Sequence, residues 1–481
     1  MKQIALLITL LLTSVMVRAD AIDGTPALGS PETRITQDEL EAGMSLTDVR
    51  RAGLKMFATP FNKADGYGDG EFDTSELDTT NEDGGGRPTL ANNGTFLRVN
   101  GLDAQTCVEC HSVVSAATVP FTFGIGGSGG INNSPIFKAT YINVDGKDDS
   151  GILTGGNAAM DGRLINPPEL FGTGGVQLVG KEMTEELHGI LNSARQEPGT
   201  YDLTAKGVNF GYLVSRSTHT GEVVIDEGES HVEGVDSDLV VRPFGRKGEF
   251  SSIREFDKGA MMFHFGMQPV EVFPWDADAD QDGIENEVFV GEMSALEIFI
   301  TTQETPVQTR KDKYARAGLE LFESIGCAGC HVPALTAREK VLRYAFPEVQ
   351  NNPDANVFYS ADLTEDPAAF RKSKDGGIVV PMFSDLKRHD MGDDLAESFA
   401  GATDEQNREF ITAKLWGVAD TAPYLHDGRA LTIAEAILAH GGEAQTQRDE
   451  FAELSADEKK LILDFLGTLR NPESPNFDVL N

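Results

Sequence analysis

Two stretches of the chain share one amphipathic pattern. RAGLKMF (Arg51–Phe57) and RAGLELF (Arg316–Phe322) each place Leu and Phe on one face at helical spacing, and each predicts a helix. A second pair of apolar-periodic stretches predicts two more. These are GEMSALEIFI (Gly291–Ile300) and SADEKKLILDFLGTLR (Ser455–Arg470), the latter opened by Ser455 and Glu458 at capping-box spacing. Between Ala194 and Phe250 the period changes, and VNFGYLV, GEVVID and DLVVRPF read as short strands separated by turns. Asn62–Asn100, rich in Gly and Asp, reads as a loop insertion. The polar, turn-prone run TTQETPVQTR (Thr301–Arg310) marks a boundary. The pattern predicts a mainly α fold of two repeated units, about 22–305 and 306–481, the first with β-hairpin and loop insertions.

The start of the chain has a different pattern. Lys2 precedes an apolar run, Ile4–Val17, and Ala19-Asp20-Ala21 offers small residues for cleavage. This predicts a signal peptide over residues 1–21, and hence export to the periplasm. No later apolar run is long enough to cross a bilayer. The 481 residues carry a formal net charge of −37, which argues against nucleic acid and anionic membranes as partners. It leaves a solvated acidic surface, a basic redox partner or bound calcium.

The four cysteines change the picture most. They stand in two frames, CVECH (Cys107–His111) and CAGCH (Cys327–His331). Four cysteines in an exported protein usually mean two disulfides, and Cys/His clusters also bind zinc. Neither explains a histidine after both pairs. A C-x-x-C-H frame puts two thiols one turn apart, where both can add to the vinyl groups of one haem, and holds the histidine under the iron. Two covalent c-type haems are expected, on Cys107, Cys110 and His111 and on Cys327, Cys330 and His331.

With these residues in view, the chain resembles the bacterial di-haem oxidoreductases described as peroxidases or thiol oxidoreductases. Gly85–His111, RPFGRKGEF (Arg242–Phe250), FHFGMQPVEV (Phe263–Val272), SDLKRHDMG (Ser384–Gly392) and Phe410–Ala444 carry the resemblance. More distantly it is similar to di-haem cytochrome c peroxidases and to the di-haem enzyme that matures methylamine dehydrogenase. The resemblance implies two cytochrome c-like domains, with the N-terminal haem reactive and the C-terminal haem relaying electrons from a periplasmic cytochrome or cupredoxin. It also implies hydrogen peroxide as the oxidant and calcium between the domains. Relatives place the distal ligand of the relay haem fourteen residues after the His of HDG. Here that His is His426, and the position is His440. The other reading of His440 is a helix C-cap. The relatives' catalytic glutamate maps to Glu271, with Gln268 and His264 nearby as further acid/base or ligand candidates; a buried ion pair is the alternative for His264 and Glu271.

The relatives' calcium ligands map to Thr421, Pro423 and Asn166. Two departures stand out: residues 112–187 contain no histidine, and DGRLINPPELFG lacks the relatives' bridging tryptophan. The chain's tryptophans are Trp275 and Trp416. The run Asp276–Glu287 alternates Asp like a calcium loop, but Phe289 stands where a closing Glu belongs, so a solvated acidic turn is equally open. DGYGDGEFD (Asp65–Asp73) reads as a loop. His389 and Met391 are expected in supporting positions near the second haem. A di-haem electron carrier and a di-haem oxidase or oxygenase remain as alternative functions.

Overall fold

The computed structural model describes residues 24–70, 72–73, 87–88, 104–113, 134–144, 156–349, 352, 354–397 and 403–480. The leader expected over 1–21 and most of the Asn62–Asn100 insertion lie outside them. The principal helices are α1 (Leu46–Ala58), α2 (Thr173–Ala194), α3 (Ile253–Ala260), α4 (Val290–Thr301), α5 (Lys313–Ser324), α6 (Ile433–Leu438) and α7 (Ala456–Leu466).

Helices form where the pattern places them, and their caps explain the starts. Ser45 accepts a hydrogen bond from Asp48 N at 3.2 Å to open α1, and Asp312 accepts from Tyr314 N and Ala315 N at 2.9 Å to open α5. Ser455 and Glu458 form the expected capping box of α7. The repeated glycine of each RAGL stretch is where two helices cross. A Cβ on Gly53 would lie 2.2 Å from Ala295 O and 2.4 Å from Phe299 Cβ of α4. A Cβ on Gly318 would lie 2.0 Å from Leu461 O and 2.7 Å from Phe465 Cβ of α7. The internal repeat therefore folds into two equivalent crossed pairs, α1 on α4 and α5 on α7. Helix α4 is buried from Gly291 to Thr301, as a helix apolar on every side must be.

The fold is not mainly α but mixed, 37% helical and 15% strand. Part of the strand lies in the Ala194–Phe250 stretch, where Gly199–Ala205 and Val208–Ser217 pair antiparallel, with Val223–Ile225 and His231–Val232 both on Val208–Ser217. DLVVRPF forms no strand there; only a bridge from Phe244 to Phe250 is made. Ser134–Val144 pairs antiparallel with Gly156–Ile165, and more strand lies after the second frame, in ribbons the periodicity did not reveal. Leu335–Ala337 pairs with Ile378–Val380, Val341–Ala345 with Val357–Asp362, and Arg388–Asp390 with Glu409–Ile411. These strands are short, and their partners lie up to about forty residues away, so neither alternation nor a tight-turn signal marks them.

One large core runs from Leu28 to Trp416 and takes in Leu335, Leu342, Tyr344, Val380 and Met382 from beyond the Thr301–Arg310 connection. A smaller core gathers Phe322, Phe383, Phe451, Phe465, Leu466 and Leu469 around the second frame. Among the described residues no helix is long and apolar enough to cross a membrane.

Candidate haem and calcium sites

After α5, Gly326 turns the chain at φ +89°, and Cys327–Gly329 form one 3-10 turn with His331 N donating to Cys327 O at 3.0 Å. His331 Nδ1 donates to Phe383 O at 3.1 Å, which leaves Nε2 as the free lone pair. Across from it stands His440, with ring centroids 6.4 Å apart and planes at 55°. His440 Nδ1 donates to Ala436 O at 2.8 Å in the last turn of α6. The two readings of His440 are thus compatible, since one nitrogen caps the helix and the other is left for a metal. Burial pushes His331 down to about 4, with His440 adding to the fall, and burial lowers His440 as well. Both rings are neutral near pH 7, the form a metal needs. An imidazole nitrogen lies about 2 Å from a first-row metal, so two rings on opposite faces of one ion have centroids roughly 6 Å apart. The pair fits a haem iron held from both sides.

The first frame repeats this construction. Thr106 Oγ1 donates to Phe57 O at 2.9 Å and ties the frame to the end of α1. Cys107–Glu109 form a 3-10 turn, His111 N donates to Cys107 O at 2.9 Å, and His111 Nδ1 donates to Pro168 O at 2.9 Å. Burial pushes His111 down to about 4, the Pro168 carbonyl opposes this, and the charge of His264 adds to it. His264 therefore lies near the first frame, as expected. It sits in the π turn Met261–Phe265 that continues α3, an irregularity common at functional sites. All four cysteines are free thiols, not disulfides. Burial raises Cys107 well above its ordinary range, with Asp257 next in effect, and pushes Cys327 up to about 11.

The expected acid/base residues are placed differently. Glu271 accepts from Arg254 Nη2 at 2.7 Å and from Arg254 Nε at 3.0 Å, so both its oxygens are committed to a buried bidentate pair. Gln268 turns away into the acidic loop. Its Nε2 donates to Glu287 Oε1 at 2.6 Å and Asp280 Oδ1 at 2.7 Å, and its Oε1 accepts from Ala279 N at 2.9 Å. The carboxyl left beside the first frame is Asp257, on α3 seven residues before His264. It is 4% exposed, and its Oδ2 is buried without a hydrogen-bond partner. Burial, then Glu297, raises it well above the carboxylate range, against the pull of Arg254. Its spacing from His264, two helical turns, is the signal that the sequence offered and that motif matching passed over.

Asn166 reaches Pro423, as the calcium assignment expects. Its Nδ2 donates to Pro423 O at 2.8 Å and Leu425 O at 2.9 Å, while its Oδ1 is buried with no partner. Rotating the amide half a turn would set three oxygens around one point, a donor set suited to calcium. Thr421 closes the 3-10 turn Val418–Asp420 just before. Leu425, unexpected, adds the second carbonyl. In the Asp276–Glu287 run Asp278, Asp280 and Asp282 converge, and Asp280 and Glu287 are 0% and 1% exposed, while Asp276 and Glu285 are exposed. His389 lies by Cys330 of the second frame, its Nε2 2.9 Å from Asp385 Oδ2 and its Nδ1 2.8 Å from Glu443 Oε2. Burial opposes its protonation, but Asp385 and Cys330 push it up to about 11. Met391 N donates to Arg408 O at 3.0 Å. Trp275 is 56% exposed, whereas Trp416 is buried at 3%.

No curated protein matches the chain. Among solved structures, hydrazine synthase from Kuenenia stuttgartiensis is 16% identical with a TM-score of 0.27, over 46% of this chain and 62% of that one. This chain thus spans less than two thirds of that protein's length. A MauG-like protein associated with microbial copper homeostasis is also 16% identical with a TM-score of 0.27, over 54% of this chain and 77% of that one. Residues 294–469 match the family model "Di-haem oxidoreductase, putative peroxidase". Over those residues the match agrees with the family resemblance read from the sequence.

Proposed function

We propose that the chain is an exported, periplasmic di-haem c-type oxidoreductase that reduces a peroxide, with two cytochrome c-like units, 22–305 and 306–481. The observation that carries this reading is the facing pair His331 and His440, centroids 6.4 Å apart, within the residues that match a di-haem oxidoreductase family model. Cys107 and Cys110 hold one haem covalently and Cys327 and Cys330 the other. The haems supply one-electron chemistry and, at an open face, a site where peroxide can be reduced. The residues do the rest. Phe383 O and Pro168 O fix the tautomer and direction of His331 and His111, and the hydrogen bond makes each Nε2 a better donor. His440 closes the second haem to outside ligands, as suits a relay. Asp257 is the carboxyl free to take and return a proton beside the first frame, a role that Glu271 cannot fill while Arg254 holds both its oxygens. Asn166, Pro423 and Leu425 would hold a calcium ion, which would add to the hydrogen bonds that already tie the Pro167–Pro168 segment to the HDG turn. A small basic redox protein suits the acidic surface as electron donor.

The nearness of His264 to His111 favours a second reading, an electron carrier with both irons held on two sides. One measurement separates them. A high-spin component in the ferric spectrum, with carbon monoxide binding to one haem of two, supports the peroxidase. Two low-spin haems that never bind carbon monoxide overturn it in favour of the carrier.

A further inference from the structure

Near the backbone anchors of the two frame histidines, Glu169 and Lys414 act on each other electrostatically. Glu169 follows Pro168, whose carbonyl holds His111. Lys414 follows Ala413, whose carbonyl acts on His331 alongside that of Phe383. Each member is thus one residue from the backbone anchor of one axial histidine. Both oxygens of Glu169 are buried without a hydrogen-bond partner, and so are Asn471 Oδ1 and Trp416 Nε1. Gly417, at φ +78°, makes the hollow. A Cβ there would lie 2.0 Å from Asn471 Oδ1 and 2.4 Å from Glu169 Oε2. Asn471 Oδ1 and Glu169 Oε2 therefore lie together across a glycine, and the Asn471 side chain also acts on Glu169, opposing the rise that burial causes. Buried acceptors in that state cost free energy until a proton or a water supplies the hydrogen.

We propose that Glu169 is a proton-binding site coupled to the oxidation state of the two haems. As an electron enters from a one-electron donor, Glu169 takes a proton from water, and its new O–H turns to Asn471 Oδ1. As the electron leaves, the proton returns to water. One negative charge gained at the haems is thus matched by one positive charge gained beside them. The groups facing Glu169 set its bias. Burial raises it well above the carboxylate range, Lys414 pulls it back, and Asp420, itself paired with Arg470, raises it further. Burial lowers Lys414 to about 8, with Glu169 opposing. Linkage makes the coupling reciprocal: if reduction favours proton binding, rising pH must lower the potential. The inference rests on haem binding but not on the peroxidase reading.

The test uses the haem-loaded protein and mediator dyes. Midpoint potentials are measured from pH 6 to 9 for the wild type and for Glu169→Gln. The expected result is a wild-type potential that falls with pH at one or both haems, and a Glu169→Gln protein with two haems, an unchanged spectrum and a flat profile. Reduced-minus-oxidised infrared spectra should show a protonated carboxyl in the wild type that is missing from the variant. Equal slopes in both proteins overturn the proposal while leaving haem binding intact. So does a pH-independent wild-type potential without a carboxyl band, which needs no variant. A purified protein without haem overturns both.

Discussion

At the scale of single residues, the roles of histidine are set by which nitrogen the backbone takes. His111, His331 and His440 all spend Nδ1 on a carbonyl, and burial keeps them neutral. His440→Met should keep a six-coordinate second haem but raise its potential, because a thioether favours ferrous iron more than imidazole does. His440→Ala should open that site and give a high-spin signal. Spectra and potentials unchanged in both variants would remove His440 from the iron. The carboxyls divide as clearly. Glu271→Gln removes one of the two carboxylates of Arg254 and leaves Glu297 at 3.3 Å, so it should cost about 1.5–3 kcal/mol of stability, read by denaturant unfolding. Asp257→Asn removes a buried group with an unpaired oxygen, so the fold should hold while peroxide turnover falls at least about tenfold, in the usual range for losing a general acid or base. Full turnover in Asp257→Asn would return the search to other residues. The motif pointed to Glu271. What the sequence could not carry is that Arg254, seventeen residues earlier, takes both its oxygens.

At the scale of elements, the repeated helices were legible because both periodicity and capping residues are local. Their partners were legible because α4 and α7 carry equally plain patterns. The reason for glycine in RAGL was not. It lies in the crossing of α1 over Ala295 and Phe299 and of α5 over Leu461 and Phe465, a contact between segments more than a hundred residues apart. Gly53→Ala and Gly318→Ala should each destabilise by about 1–3 kcal/mol, because the clash is with backbone and cannot be relieved by a side-chain turn. Gly318→Ala should also loosen haem two, since Phe465 and Phe322 pack together beside His331. Calorimetry and the visible spectrum read both effects, and a variant as stable as the wild type would show that the helices slide freely. The ribbons after the second frame stayed hidden for the opposite reason. Their pairing depends on partners distant in sequence, and strands of three residues leave no alternation to read.

At the scale of the whole molecule, the acidic composition becomes a statement about pH. Burial, then Asp282, pushes Asp280 up to about 9, and burial pushes Asp282 up to about 6. Burial raises Glu287, Asp257 and Glu169 well above their ordinary range, and His389 is also raised. Above the ordinary carboxylate range the folded chain therefore binds more protons at these sites than the unfolded chain. Stability from them is full at low pH and is lost as pH rises through the folded values. The lowered histidines act in the other direction. Folded His111, His331 and His426 sit near about 4, so below pH ~6.5 the unfolded chain binds more protons and stability climbs with pH. Lys247 and Lys414, both lowered to about 8 by burial, repeat that rise only above pH 8. From pH 6.5 to 8 the histidines no longer oppose the carboxyls, so over that range the melting temperature of the haem-free, chelator-treated protein should fall. The charge of −37 steepens the fall, because each lost proton adds to self-repulsion, and salt should soften that share alone. Calcium should flatten the curve further if it takes the place of protons among the buried oxygens, with protons released as it binds. A melting temperature that climbs from pH 6.5 to 8 in chelator would mean that these carboxyls are ionised in the folded protein without a cation, and that burial does not govern them.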